Sequence, residues 1–238
     1  MDDRLDVIAV GAHPDDVEIG CGGIVARLVQ QGHSVGIVDL TDGEPTPGSS
    51  GPEVRLAEAV RAAQTLGARR MTLDLPNRRL FDTFEARVAL AKVFRRYQPR
   101  LVLGLGAKTP LASPDHYQAV LITEAAVFYS KLSKWDDQFD HWPPYVVPSF
   151  LYYFLAHRSL TPVHTDALVV DIGATLETKM AAIACYASQF PPTRAAVLDR
   201  IRTFSLQQGM AAGFAAGEVL SNPMAWGTRD LMGMIFSP

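Results

Sequence analysis

Short apolar runs alternate with longer stretches of helical spacing through the first half of the chain. Asp6–Gly11, Val35–Leu40, Met71–Leu75 and Leu101–Leu105 are mostly apolar without interruption, the pattern of strands buried on both faces. After the first run, Val17, Ile24, Val25, Leu28 and Val29 recur at helical spacing and stop at Gly32. Glu53–Leu66 reads as a second helix ended by Gly67, Glu85–Tyr97 as a third closed by Pro99, and Tyr117–Leu132 as a fourth. Strand then helix, four times over, predicts an α/β fold: an open, mostly parallel sheet with right-handed crossovers and helices on both faces. Ligands in such sheets bind beyond the carboxyl ends of the strands.

The rhythm weakens after residue 133. Phe150–Leu155 and Ala167–Ile172 are expected to add strands and Leu176–Ala187 a helix, with 133–170 otherwise an irregular stretch and a candidate lid. The turn-rich segment Asp42–Gly51 is expected to be a mobile surface loop. No repeat or composition break divides the chain, so one domain over 1–238 is expected.

Composition narrows the function. Of 238 residues, 48% are hydrophobic and 20% charged, enough apolar surface for a large core and too much for a disordered chain. Acidic residues number 25 against 22 basic, a net charge of −3, so nothing favours a nucleic-acid partner. Cys21 and Cys185 are too few for a disulfide scaffold and fit a reducing cytoplasm. No signal peptide is visible, and the uncharged stretch Tyr145–Ala156 is too short to span a membrane and is broken by Pro148. A soluble cytoplasmic protein with no membrane partner is expected.

The chemistry concentrates in Gly11-Ala12-His13-Pro14-Asp15-Asp16-Val17-Glu18-Ile19-Gly20, where a dinucleotide-binding fold would carry its phosphate loop. Gly20-Cys21-Gly22-Gly23 is not that fingerprint and falls inside the expected helix, while Asp15 and Asp16 would repel a pyrophosphate. A cation suits the loop better. His13 and Asp16 can stand side by side as metal ligands, although an aspartate here could also simply cap the helix. A third ligand is found in Ser113-Pro114-Asp115-His116, just after the fourth strand, where His116 shares the rim with His13 and Asp115 could orient an imidazole. Among nearby acids, Glu44 reads as a rim contact and Glu18 as a solvated helix residue. Cys21 reads as a small buried residue and not as a nucleophile.

Ala12-His13-Pro14-Asp15-Asp16 and Pro114-Asp115-His116 resemble the two signatures of the PIG-L/LmbE family of zinc-dependent N-acetylglucosamine deacetylases. Asp15–Gly20, Val35–Thr41 and Tyr186–Phe190 extend the likeness toward the family's bacillithiol-pathway branch. The resemblance implies a Rossmann-like fold with zinc, or Fe²⁺ or another divalent ion, held by His13, Asp16 and His116. It implies hydrolysis of an N-acetylated sugar conjugate to acetate and a free amine, with Asp15 as general base and Asp115 as the acidic member of the second motif. It also implies substrate contacts by Arg55 and Asn77, the latter standing where relatives carry aspartate, and a homo-oligomer, often a hexamer. Relatives commonly have histidine at the position of Ser113, where it steadies the oxyanion and protonates the amine. A serine can donate a neutral hydrogen bond but supplies no proton near neutral pH. Three other readings follow: a metal-binding homologue with altered catalysis, a non-haem iron enzyme built on the two-histidine, one-carboxylate set, and a non-enzymatic nucleotide-binding module.

Overall fold

The computed structural model describes residues 3–155, 167–225, 227, 229, 230 and 232; the middle of the candidate lid stretch lies outside them. The elements are β1 (Val7–Gly11), α1 (Asp16–Gln30), β2 (Val35–Asp39), α2 (Pro52–Leu66), β3 (Arg69–Thr72), α3 (Phe84–Tyr97), β4 (Leu101–Leu105), α4 (Asp115–Tyr129), β5 (Ser149–Tyr153), β6 (Ala167–Asp171), α5 (Leu176–Ala184), α6 (Ala195–Met210) and β7 (Gly217–Ser221). The strands form one sheet in the order β3-β2-β1-β4-β5-β7-β6. β1 to β5 pair in parallel, and β7 runs antiparallel to both β5 and β6. The mostly parallel α/β sheet anticipated from the apolar runs is therefore present. α1, α2 and α5 pack on one another, while α3 packs on α4.

The chain leaves β1 outward through β2 and β3, then returns to lay β4 on the other side of β1. β1 and β4 pair from Val7↔Leu101 to Ala9↔Leu103, so the turns at their carboxyl ends are neighbours at the point where strand order reverses.

Several boundaries depart from the apolar pattern. β3 spans Arg69–Thr72 instead of Met71–Leu75, because it is the sheet edge and is not apolar throughout. The fourth helix starts earlier, at Asp115, and ends at Tyr129. Between 133 and 148 the chain is not wholly irregular, since Asp136–Phe139 forms a short 3₁₀ turn with Phe139 fully buried beneath the Arg95 guanidinium. No helix among the described residues is long and apolar enough to cross a membrane.

α6 and β7 carry no clear apolar signal, and β7 contains a buried acid. Glu218 is 1% exposed and meets α1 where that helix kinks at Cys21 (φ −146°). A break there frees backbone donors that a continuous helix would pair. Glu218 accepts from Gly23 N at 3.1 Å and Ile24 N at 2.7 Å, while Lys179 Nζ lies 2.7 Å away. It thus caps the second segment of α1 from across the sheet, and Lys179 balances its charge. The glycines around the kink serve packing: a Cβ at Gly20 would stand 2.4 Å from the Tyr153 ring, and one at Gly23 2.7 Å from Ile172. Cys21 is buried between them, as expected.

Glu218→Ala is expected to destabilise the protein by about 3–5 kcal/mol in urea titrations, because it strands the Lys179 ammonium and two amides. A loss below about 1 kcal/mol would show that the capped kink adds little to folding.

Candidate metal centre and active site

The turn after β1 folds back on itself. Asp16 Oδ2 accepts from the backbone N–H of Ala12 (2.9 Å) and His13 (3.0 Å), which fixes the carboxylate before α1 begins. Neither Asp15 nor Asp16 uses its side chain to cap α1. The turn needs Asp15 at φ 112°, a strained value for a residue with a side chain. The other half of the site comes from the turn after β4 and the first residues of α4. His116 Nε2 lies 3.4 Å from Asp16 Oδ1, and the rings of His13 and His116 are 5.2 Å apart between centroids. One donor atom from each of His13, Asp16 and His116 falls within 4.8 Å of the others. The imidazoles expose 13% and 11% of their side chains, so the cluster is sheltered but reachable.

Both imidazoles have partners behind them. His13 Nε2 lies 3.4 Å from Asp115 Oδ2, and that oxygen accepts from Arg78 N at 2.6 Å. Asp115 therefore attends His13 rather than its neighbour His116, whose Nδ1 is 2.7 Å from Thr109 Oγ1. Electrostatics favour positive charge here. Burial works against a proton on His13, but the Asp115 and Asp16 carboxylates outweigh it and raise its pKa to about 10. Asp16 and Asp115 are also buried, yet the imidazoles beside them hold both below the ordinary carboxylate range. A centre that grips a proton so firmly suits a cation, and two imidazole nitrogens with one carboxylate oxygen fit a divalent transition metal.

Asp15 behaves differently. Burial, reinforced by the neighbouring Asp16 charge and opposed by Arg55, lifts its pKa to about 7. Its Oδ2 accepts from Arg55 Nη2 at 3.0 Å, and the same nitrogen bonds the Pro14 carbonyl. Arg55 comes from α2, is 2% exposed and stands 5.2 Å from the Tyr186 ring centroid. The structure thus places this expected substrate contact behind Asp15, with Nε and Nη1 lacking a partner.

Glu18 is not solvated, contrary to its expected place on an open helix face. It is fully buried because α2 and α5 cover α1. Its Oε1 accepts from Arg70 and from the Tyr186 hydroxyl at 2.8 Å, and Arg70 also grips both Asp39 oxygens at 2.6 and 2.7 Å. Thr109, Arg70 and Tyr186 are absent from the sequence-derived site. Only the Tyr186–Phe190 likeness hinted at the last of them.

The remaining expected residues lie around this centre. Ser113 Oγ accepts from Asp115 N at 3.3 Å at the head of α4. The Glu44 carboxylate turns back onto Thr46 N and Oγ1, so it does not present itself openly at the rim. Asn77 Nδ2 donates to Glu44 O at 2.8 Å, and its Oδ1 is buried without a partner. The segment Asp42–Gly51 is partly packed, with Gly43 and Glu44 buried.

The PIG-L family model, described as GlcNAc-PI de-N-acetylase, matches residues 8–127, from β1 through most of α4. This chain belongs to that family. It is 30% identical over 229 residues to a diacetylchitobiose deacetylase of Thermococcus kodakarensis, covering 92% of this chain and 83% of that protein. A 4-oxalmesaconate hydratase of Pseudomonas putida is 27% identical over 197 residues, covering 76% and 73%. The solved N,N'-diacetylchitobiose deacetylase of Pyrococcus horikoshii superposes with a TM-score of 0.78 at 27% identity, covering 90% of this chain and 82% of that one. The family contains deacetylases of N-acetylglucosamine-type substrates, and the matched stretch contains all three candidate ligands.

Asp115→Ala is expected to weaken zinc binding about 10–100-fold in chelator competition, because it removes the group that orients His13. Unchanged affinity would show that the imidazole is held without it.

Proposed function

We propose that the chain is a metal-dependent N-deacetylase of N-acetylglucosamine-type sugar conjugates, releasing acetate and a free amine. The observation that carries the reading is the partly buried Asp15 carboxylate, held by Arg55 and adjacent in sequence to Asp16, one of three convergent candidate metal donors. Zinc or a similar divalent ion at His13, Asp16 and His116 would polarise the acetamide carbonyl and ease ionisation of water. Asp15 takes the proton from the attacking water. Arg55 engages Asp15 Oδ2 and leaves Oδ1 to do this, while the turn geometry keeps the carboxylate beside the ligands. A pKa of about 7 lets the same group hold that proton and return it to the departing amine.

That second transfer matters because Ser113 stands where relatives carry a proton donor. Ser113 Oγ offers one neutral hydrogen bond to the developing oxyanion. Asp115 holds His13, and Asn77 Oδ1, lacking a partner inside the protein, accepts from a sugar hydroxyl. The Glu44 carbonyl sets the Asn77 amide for that contact. Placement in the bacillithiol branch rests on motif likeness at Asp15–Gly20, Val35–Thr41 and Tyr186–Phe190.

Acetate release from N-acetylglucosamine glycosides, lost on chelation and restored by zinc, is the direct test. Asp15→Asn is expected to keep the metal and lower kcat by about 10²–10⁴-fold; loss of metal with it would exchange the roles of the two aspartates. Ser113→His is expected to raise the rate if proton delivery to the amine limits turnover, whereas unchanged kinetics would show that Asp15 already delivers it.

A further inference from the structure

Three residues with cationic side chains sit on the two turns whose backbones flank the candidate metal centre. Arg78, Arg79 and Lys108 are exposed, and among the described residues none has a carboxylate within ion-pair distance. Of the three, Lys108 alone has a side-chain contact among the described residues, its Nζ standing 4.5 Å from the Tyr117 ring centroid, a contact that leaves its charge unpaired.

Their backbones are fastened to the site. The Asp115 carboxylate, which faces His13, accepts from Arg78 N at 2.6 Å and also bonds the backbone of Leu80, so Arg78 and Arg79 ride on a turn clamped to it. Lys108 precedes Thr109, whose hydroxyl meets His116 Nδ1 at 2.7 Å. The two turns also hold residues in the left-handed region, Arg78 at φ 63°, Ala107 at φ 125° and Leu111 at φ 61°. Such backbone persists where the surroundings over-determine it, so the cations are displayed from fixed supports.

We propose that Arg78, Arg79 and Lys108 form an anion-binding rim, and that the conjugate deacetylated here carries a carboxylate or phosphate on the part away from the acetamide. Arginine matches either group in a two-pronged contact, and lysine adds a point charge. The identity of the sugar rests on the deacetylase reading; the rim itself does not.

The test compares methyl N-acetylglucosaminide, N-acetylglucosamine 1-phosphate and a carboxymethyl glycoside of N-acetylglucosamine on the zinc-loaded enzyme. The anionic compounds are expected to exceed the neutral one in kcat/KM by about tenfold or more, with the advantage in KM. Preference between the phosphate and the carboxylate identifies the anion. The advantage should vanish in the variant Arg78→Gln, Arg79→Gln, Lys108→Gln, and shrink in about 1 M salt, where screening length falls to about 3 Å. Equal use of charged and neutral compounds, or an advantage that survives in the triple variant, overturns the rim. If no compound releases acetate, calorimetric binding of the same three compounds decides. Tighter binding of the anions, lost in the triple variant, then upholds the rim while the deacetylase reading falls; equal binding overturns the rim as well.

Discussion

The centre depends on burying acid. Asp16, Glu18 and Asp39 are at most 3% exposed, and Asp15 lies among them on the same turn-and-strand edge. Two like charges at roughly 4 Å repel by about 4 kcal/mol at an effective dielectric near 20, so the cluster needs fixed positive partners. Arg55 from α2 and Arg70 from β3 supply them. Tyr186 stands against both guanidinium groups, 5.2 and 5.9 Å from its ring centroid, and donates to Glu18. The acidic turn that carries the chemistry is therefore held from behind by three other parts of the chain.

The topology makes that arrangement reachable. Because β1 and β4 are neighbours and their crossovers leave in opposite directions, the turns after them face each other across the sheet edge. The later half of the chain then braces the earlier one. β7 sends Glu218 to the kink of α1, α5 brings Lys179 to that carboxylate, and the segment after α5 delivers Tyr186 to the arginines. The matched family stretch ends at residue 127, yet Lys179, Tyr186 and Glu218, which share in satisfying its buried groups, lie beyond it.

The elements and candidate ligands legible in the sequence share one property: their signal is local. Buried strands in a parallel sheet read as apolar runs, and His13, Asp16 and His116 sit in short motifs at the ends of two of them. What stayed hidden depends on packing between distant segments. Glu18 lies on a helix whose periodicity does not announce that α2 and α5 will cover it, so it resembles a solvated acid. Arg55 is expected to contact the substrate, and only the packing of α2 shows it turned inward onto Asp15. β3 was displaced because an edge strand can begin with two arginines, one of which faces a buried aspartate. β7 carries little apolar signal because its second residue, Glu218, is an acid buried to serve another helix.

The contrast between Asp15 and Asp16 shows how such packing turns sequence neighbours to different chemistry. Both are acidic and next to each other, so a motif alone cannot separate their roles. Asp16 receives two backbone amides and faces two imidazoles, which keeps it ionised and suits it to hold a cation. Asp15 loses solvent on folding, which raises its pKa against the pull of one arginine nitrogen, and the charge of Asp16 adds to the rise, bringing it to about 7. An ionised carboxylate beside one that readily exchanges its proton is the pairing that the proposed metal-dependent deacetylation would use. The left-handed twist at Asp15 keeps the two carboxylates in these different surroundings, and the buried arginines beneath the turn allow both to be there.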